Sequence, residues 1–291
     1  MKLSAILLPL FLSAVAEGKD GVVAIKEDGK TLVEYKRQGF AFKPYVLQLY
    51  SPSGVAVLRD STKGHKHHHG LMFAVKANGI NFWVEKNESG KQRELGFRED
   101  GSGFSQELAW VDSKGTTLIR ESRTLVLGKT AKATLLTWRS KLRAQGKDKV
   151  TLTGTHYHGL GMRFVADMDR TGTLVFSDDV PSIAVRGSEK LSRVRWCAYS
   201  AKAKGKPVTV ALFDSPGNPC PALMFSMIEP FAYLSATLNL SKKPLVIEPG
   251  KSLGLTYGVA VFDGKKTREE INVLYEEYLK MKGVRGRRLP E

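Results

Sequence analysis

The chain has 291 residues, 42% hydrophobic and 25% charged, and its 45 Lys and Arg against 29 Asp and Glu leave a formal charge of +16. This is the composition of a soluble globular protein, with material for one large β domain or two ordinary domains. Past residue 16 no apolar stretch approaches the roughly 20 residues of a membrane-crossing helix, which excludes a helical integral membrane protein.

In chain order, Met1-Lys2 supplies a positive end, residues 3–12 an apolar run, and Ala14-Val15-Ala16 a small-x-small tripeptide before Glu17. That is the grammar of a secretory signal peptide over 1–16, cleaved after Ala16, with a secreted or periplasmic domain over 17–291. For an exported protein, nucleic acid is not the expected partner. An acidic or sulfated glycan, or an anionic cell surface, complements the positive charge.

Strand patterns then dominate. Runs rich in Val, Leu, Ile, Thr and aromatics fall at 21–25, 31–35, 45–50, 55–58, 71–75, 104–111 and 116–127, separated by turn residues. Leu136, Trp138 and Leu142 alternate with Thr137, Arg139, Lys141 and Arg143, which predicts one buried and one cationic face. Further strands are expected at 150–158, 208–213, 222–227, 233–240 and 253–262. Trp196-Cys197-Ala198-Tyr199 reads as a packed strand. Cys197 is therefore either a buried thiol there or a disulfide partner of Cys220.

One helix is expected, at the end. Thr267 and Glu270 form a capping box, and Ile271, Leu274, Tyr275 and Tyr278 make one apolar face up to Gly283. A basic tail follows over 280–291. Many strands without a break in composition point to one antiparallel sandwich of two large sheets.

All six histidines lie in two segments, Gly64-His65-Lys66-His67-His68-His69-Gly70 and Thr155-His156-Tyr157-His158-Gly159. The fold is expected to bring both to one place. If 150–158 is a single strand, His156 and His158 continue the inward face of Val150 and Leu152. The first segment is either extended, with His65, His67 and His69 on one side, or a bent approach to the strand at 71–75.

Three readings follow: a metal held by imidazoles, His-x-His being a ligand spacing; a metal-free site that handles protons or grips a sugar; or a histidine-rich loop with satisfied inward histidines. Trp83 and Tyr157 supply aromatic faces of the kind that suit a sugar ring. Arg163 follows a glycine-bracketed turn that reaches the same place. There is no Gly-x-Ser-x-Gly elbow, Walker loop, His-Glu-x-x-His or Cys-x-x-Cys. Acid candidates are Glu85, Glu107, Glu121, Asp214 and Glu229, and their spacing selects no pair.

Pro44-Tyr45, the run from Gly54 to Arg59, the first histidine segment and Asn81-Phe82-Trp83 resemble the family labelled methane oxygenase, PmoA-like. Its motif is close to Asp-His-Pro-His-His-Arg-Gly-Leu. The likeness continues through Trp110, Glu121-Ser122-Arg123, the run from Gly159 to Phe164, the Trp196 segment, Asp214 with Asn218-Pro219, Pro230-Phe231 and Tyr257 to Gly264. Here Gly64 replaces the motif's Asp, Lys66 its Pro and His69 its Arg, and Asn218-Pro219 lacks the Arg-His pair that often follows. The resemblance implies a galactose-mutarotase-like β-supersandwich.

The combined expectation is an exported carbohydrate-active protein acting on a neutral or anionic glycan. His156, His158 and Arg163 would be catalytic, Arg59, Trp83 and Tyr157 would bind substrate, and His65, His67 and His68 would bind ligand or a divalent metal. A non-catalytic glycan-binding module and a metal-dependent oxygenase are the alternatives.

Overall fold

The computed structural model describes residues 13–220, 223–281 and 284. Residues 1–12, most of the run expected to be a signal peptide, as well as Gly283 and residues 285–291 of the basic tail, lie outside the described residues. No described helix is long and apolar enough to cross a membrane.

Three antiparallel sheets carry the structure. The largest has ten strands, in the order Ser13–Glu17, Val22–Glu27, Lys30–Lys36, Tyr45–Leu49, Leu71–Ala74, Gly159–Arg163, Tyr233–Thr237, Leu223–Met227, Glu189–Ser192 and Ile183–Arg186. The second has eight: Thr173–Phe176, Trp196–Ala203, Lys206–Asp214, Ser252–Asp263, Thr134–Ala144, Thr117–Gly128, Gly103–Val111 and Lys91–Asp100. A small third sheet joins Leu245–Ile247, Val150–Thr153, Lys76–Ala77 and Ile80–Asn81. The residues upstream of the expected cleavage point, from Ser13, are drawn into the edge strand beside Val22–Glu27.

The period of two decides what lies between the large sheets. Trp138, Cys197, Tyr199, Leu212, Tyr257 and Val259 face the ten-stranded sheet and join Phe73, Leu160 and Met162 in one core. Ring contacts cross the gap, with Phe73 5.9 Å from Trp110 and Phe164 5.5 Å from Tyr199. The alternate residues of the same strands, Leu135, Trp196, Ala198, Ala211, Phe213 and Phe262, form the other face. On it lies the helix Arg268–Lys280, through Ile271, Leu274, Tyr275 and Tyr278. Gly258 lets the helix approach, since a Cβ there would stand 2.9 Å from the Tyr278 ring. The capping box forms as expected, Thr267 accepting from the Glu270 amide and Glu270 from the Thr267 amide. Lys141 and Arg143 face solvent, as the alternation requires, but Thr137 on the same face is buried and Arg139 half-buried, because that end of the face, with Leu135, lies on the helix side.

Several expectations fail for physical reasons. Residues 55–58 make only isolated bridges, Tyr50 with Ala56 and Leu58 with Phe164. The run 150–158 is not one strand. It pairs in the small sheet as far as Thr153, loops over 154–158, and resumes at Gly159 in the ten-stranded sheet. The argument that strand parity turns His156 and His158 inward therefore does not hold. Cys197 and Cys220 are free thiols.

Candidate functional site

A cleft of about 480 Å³ opens on the ten-stranded sheet. Arg163 aligns with Tyr233 and Met227, and Gly161 with Ser235 and Phe225. Residues two apart share a face, so Arg163, Tyr233, Met227 and Phe225 project together, while Leu160 and Met162 turn to the core beside Phe73. Gly161 is required here: a Cβ at this position would stand 2.1 Å from the Tyr233 hydroxyl oxygen.

The first histidine segment is a bent loop folded on itself. The His65 amide donates to the Thr62 carbonyl, that of His68 to His65, and that of Ser61 to the His68 carbonyl. These turns gather the rings, with His65 and His68 4.8 Å apart, His67 and His68 4.5 Å apart and His65 and His67 6.4 Å apart. All three line the cleft. Gly70 then passes so close to the Val46 carbonyl that a Cβ would lie 2.4 Å from it.

His69 alone turns away. Its Nδ1 lies 2.6 Å from Asp60 and its Nε2 2.8 Å from Glu85, which also accepts from Lys43 at 2.5 Å. Burial, together with the neighbouring imidazoles and Arg163, pushes the His68 imidazole down to about 2. Burial likewise takes His67 to about 4, and lowers His65. At neutral pH these three rings are uncharged, each offering one donor and one acceptor.

The two histidine segments meet at Trp83. Its ring stacks on His158 at 4.8 Å and stands 5.4 Å from Tyr157 and 6.3 Å from His68. Trp83 is 1% exposed and forms part of the cleft floor, and Tyr157 lines the cleft. His158 is packed behind Trp83 and is not a lining residue. Burial takes its imidazole down to about 3.

Arg59 does not line the cleft either. It pairs with Asp169 at 2.8 Å, and Asp169 also accepts from the Ala232 amide, bracing the loop that carries Phe231. Arg163 is 4% exposed, with its guanidinium carbon 3.3 Å from the centroid of the Phe231 ring.

His156 reaches a residue that the sequence reading missed. Its Nε2 lies 3.1 Å from Glu189, whose other oxygen accepts from Arg186 at 2.7 Å. Glu189 and Arg186 line the cleft, as do Phe225, Met227 and Phe231. The available signal was Arg186-Gly187-Ser188-Glu189, a tight turn between two short strands. Of the earlier acid candidates, Glu107 is exposed, Glu85 is held by His69 and Lys43, Glu121 is in the core, and neither Asp214 nor Glu229 lines the cleft.

The expected divalent metal finds three neutral imidazoles but no carboxylate free to join them. Among the described residues no group of three or more His, Cys, Asp or Glu side chains is placed to hold a metal ion. As arranged, these residues do not fit one.

The family model described as "Family of unknown function (DUF6807)" matches residues 22–276, most of the chain. The chain belongs to this family. No curated protein matches the sequence significantly. Among solved structures, the DUF6807 chain is similar to the galactosidase domain of the alpha-galactosidase-sucrose kinase AgaSK, with a TM-score of 0.54 at 9% identity, over 86% of this chain and 42% of that one. It is similar to the GH36 alpha-galactosidase AgaB from Geobacillus stearothermophilus, with a TM-score of 0.54 at 11% identity, over 86% of this chain and 41% of that one. A putative aldose 1-epimerase from Escherichia coli K12 aligns with a TM-score of 0.45 at 11% identity, over 87% of this chain and 99% of that one. The DUF6807 chain thus spans about two fifths of the length of the galactosidase structures. What it shares with the galactosidase structures is the fold, a sandwich of large antiparallel sheets.

Proposed function

We propose that the cleft binds a sugar and that Glu189 moves protons on it, as an epimerase or lyase does. One observation carries this. Glu189 is the one carboxylate among the lining residues, and it is held from two sides by His156 and Arg186. Hydrolysis by paired carboxylates needs a second acid about 5–9.5 Å away, and none of the other lining residues is acidic. Proton abstraction and return need one positioned base and neutral hydrogen-bonding groups around it. His65, His67 and His68 supply the latter, and Trp83, Tyr157, Phe225, Phe231 and Tyr233 supply ring faces for the apolar side of a sugar. His156 orients the base. The sugar-active proteins that share the fold agree with this reading.

The test is solvent-deuterium exchange. Aldoses and uronates incubated with the protein in D2O, followed by NMR, are expected to exchange a carbon-bound proton. Glu189→Gln should slow that exchange by about 10²–10⁴-fold while sugar binding persists. Binding with no exchange on any sugar would make the protein a glycan-binding module instead. Redox-active copper or iron at one per chain in the purified protein would favour the metal-dependent chemistry that goes with the PmoA-like resemblance.

We also propose, from the N-terminal run of the sequence alone, that the protein is exported. Protein recovered from the periplasm or medium of a bacterial host is expected to start at Glu17, which N-terminal sequencing reads directly. An intact Met1 in all fractions would remove the export step.

A further inference from the structure

Buried polar atoms stand without hydrogen-bond partners in three cleft-lining residues, at the Tyr233 hydroxyl, Nε1 of Trp83 and Nδ1 of His68, and at Nε and Nη1 of Arg163, which lies behind the lining residue Phe231. Buried polar groups are paired in the great majority of cases, so a cluster of unpaired ones asks for a cause. These atoms share a neighbourhood. Arg163 and Tyr233 are cross-strand partners, and the His68 ring is 5.6 Å from Tyr233 and 6.3 Å from Trp83. They also share a sign. Guanidinium and indole N–H groups only donate, and a hydroxyl and a neutral imidazole can donate too. Three of the five atoms can only donate, and none of the five carries a negative charge.

Arg163 sharpens the point. It forms no ion pair among the described residues, and the nearby Asp169 is engaged by Arg59. Its guanidinium carbon sits 3.3 Å from the centre of the Phe231 ring, and that contact satisfies none of its N–H donors. A buried cation with no counter-charge is costly, and a bound anion would offset that cost.

We infer that this cluster is an anion-recognition subsite and that the sugar is a uronic acid, its carboxylate held by Arg163, Tyr233 and His68. This rests on the sugar reading of the cleft and deepens it. The chemistry is consistent with that reading. A carboxylate acidifies the C–H beside it. When Glu189 takes that proton, the C–H bond breaks and its electron pair passes into the carboxylate as an enediolate. Arg163 and Tyr233 stabilise the added charge. Collapse of the enediolate re-forms the C–H bond with a returned proton, on the same face or the opposite one.

Calorimetry on the whole protein tests this, with D-glucuronate and D-galacturonate, their methyl esters, and D-glucose and D-galactose as probes. The free acids are expected to bind at least about tenfold more tightly than the esters or neutral sugars. Arg163→Met should bring the acids down to the level of the esters. Tyr233→Phe, which removes one hydroxyl, should narrow the preference without abolishing it, and serves if Arg163→Met does not fold. Equal affinity for acid, ester and neutral sugar would overturn the anion subsite and leave the sugar reading standing. No binding of any of the six would overturn both.

Discussion

Replacing His69 with glutamine is expected to cost about 3–5 kcal/mol of stability at pH 6, and replacing it with arginine much less. His69 sits between Asp60 at 2.6 Å and Glu85 at 2.8 Å, with its ring stacked on Tyr45 at 4.0 Å. Two carboxylates facing two ring nitrogens require both nitrogens to donate, so the ring is an imidazolium. Burial opposes that charge, but the bonds to Asp60 and Glu85 outweigh it and the His69 pKa is raised. Glutamine is neutral and would leave Asp60 without its cation and Glu85 with Lys43 alone. Arginine keeps the charge and has donors for both acids.

The pH dependence follows from the sign. A group whose pKa is raised on folding contributes in full below the unfolded value near 6.5. That contribution is lost as pH rises through the raised value. The His69→Arg protein should therefore gain on the wild type as pH climbs above neutrality. Urea unfolding from pH 5 to 9 measures both effects. A glutamine variant within about 1 kcal/mol of wild type would mean that the charge does not hold the loop.

How much of this was readable beforehand depended on whether the signal was local. The helix was, because Thr267, Glu270 and the spacing from Ile271 to Tyr278 act within one element. The alternation from Trp138 held only at Lys141 and Arg143, since Thr137 is buried on the face that also carries the helix. The clustering of six histidines pointed to two loops that the fold does bring together at Trp83, because composition is visible without geometry. Roles were not visible. His69 differs from His68 only through Asp60 and Glu85, which reach it from other parts of the chain. Glu189 meets His156 across 33 residues, from a short strand with no distinctive pattern. The parity argument for His156 and His158 failed because one apolar run served two sheets, and nothing in 150–158 marks where the chain leaves the first. Arg59 and Arg163 looked alike in sequence. Asp169 pairs with Arg59, while Arg163 forms no ion pair among the described residues, and that is what separates a brace from a candidate binding group.

Arg123→Met should be about as damaging as His69→Gln, with the loss again about 3–5 kcal/mol, and for a related reason. Arg123 and Glu121 are both fully buried between the large sheets and pair at 2.9 Å. The guanidinium also donates to the Tyr35 hydroxyl, the Pro44 carbonyl and Gln92, tying the ten-stranded sheet to the eight-stranded one. Glu121 accepts further bonds from Trp110 Nε1 at 2.7 Å and Ser140 at 2.6 Å. Methionine fills much of the space but strands the carboxylate, and those two donors do not supply a counter-charge. Most of the cost is then the uncompensated charge, not the lost contacts. The double variant Arg123→Met, Glu121→Gln removes that charge while keeping an acceptor for Trp110 and Ser140, so it should recover most of the loss. Urea unfolding of the two single variants and the double closes the cycle. A double variant no more stable than Arg123→Met would mean that the guanidinium's bonds across the gap, not the stranded carboxylate, are what the core depends on.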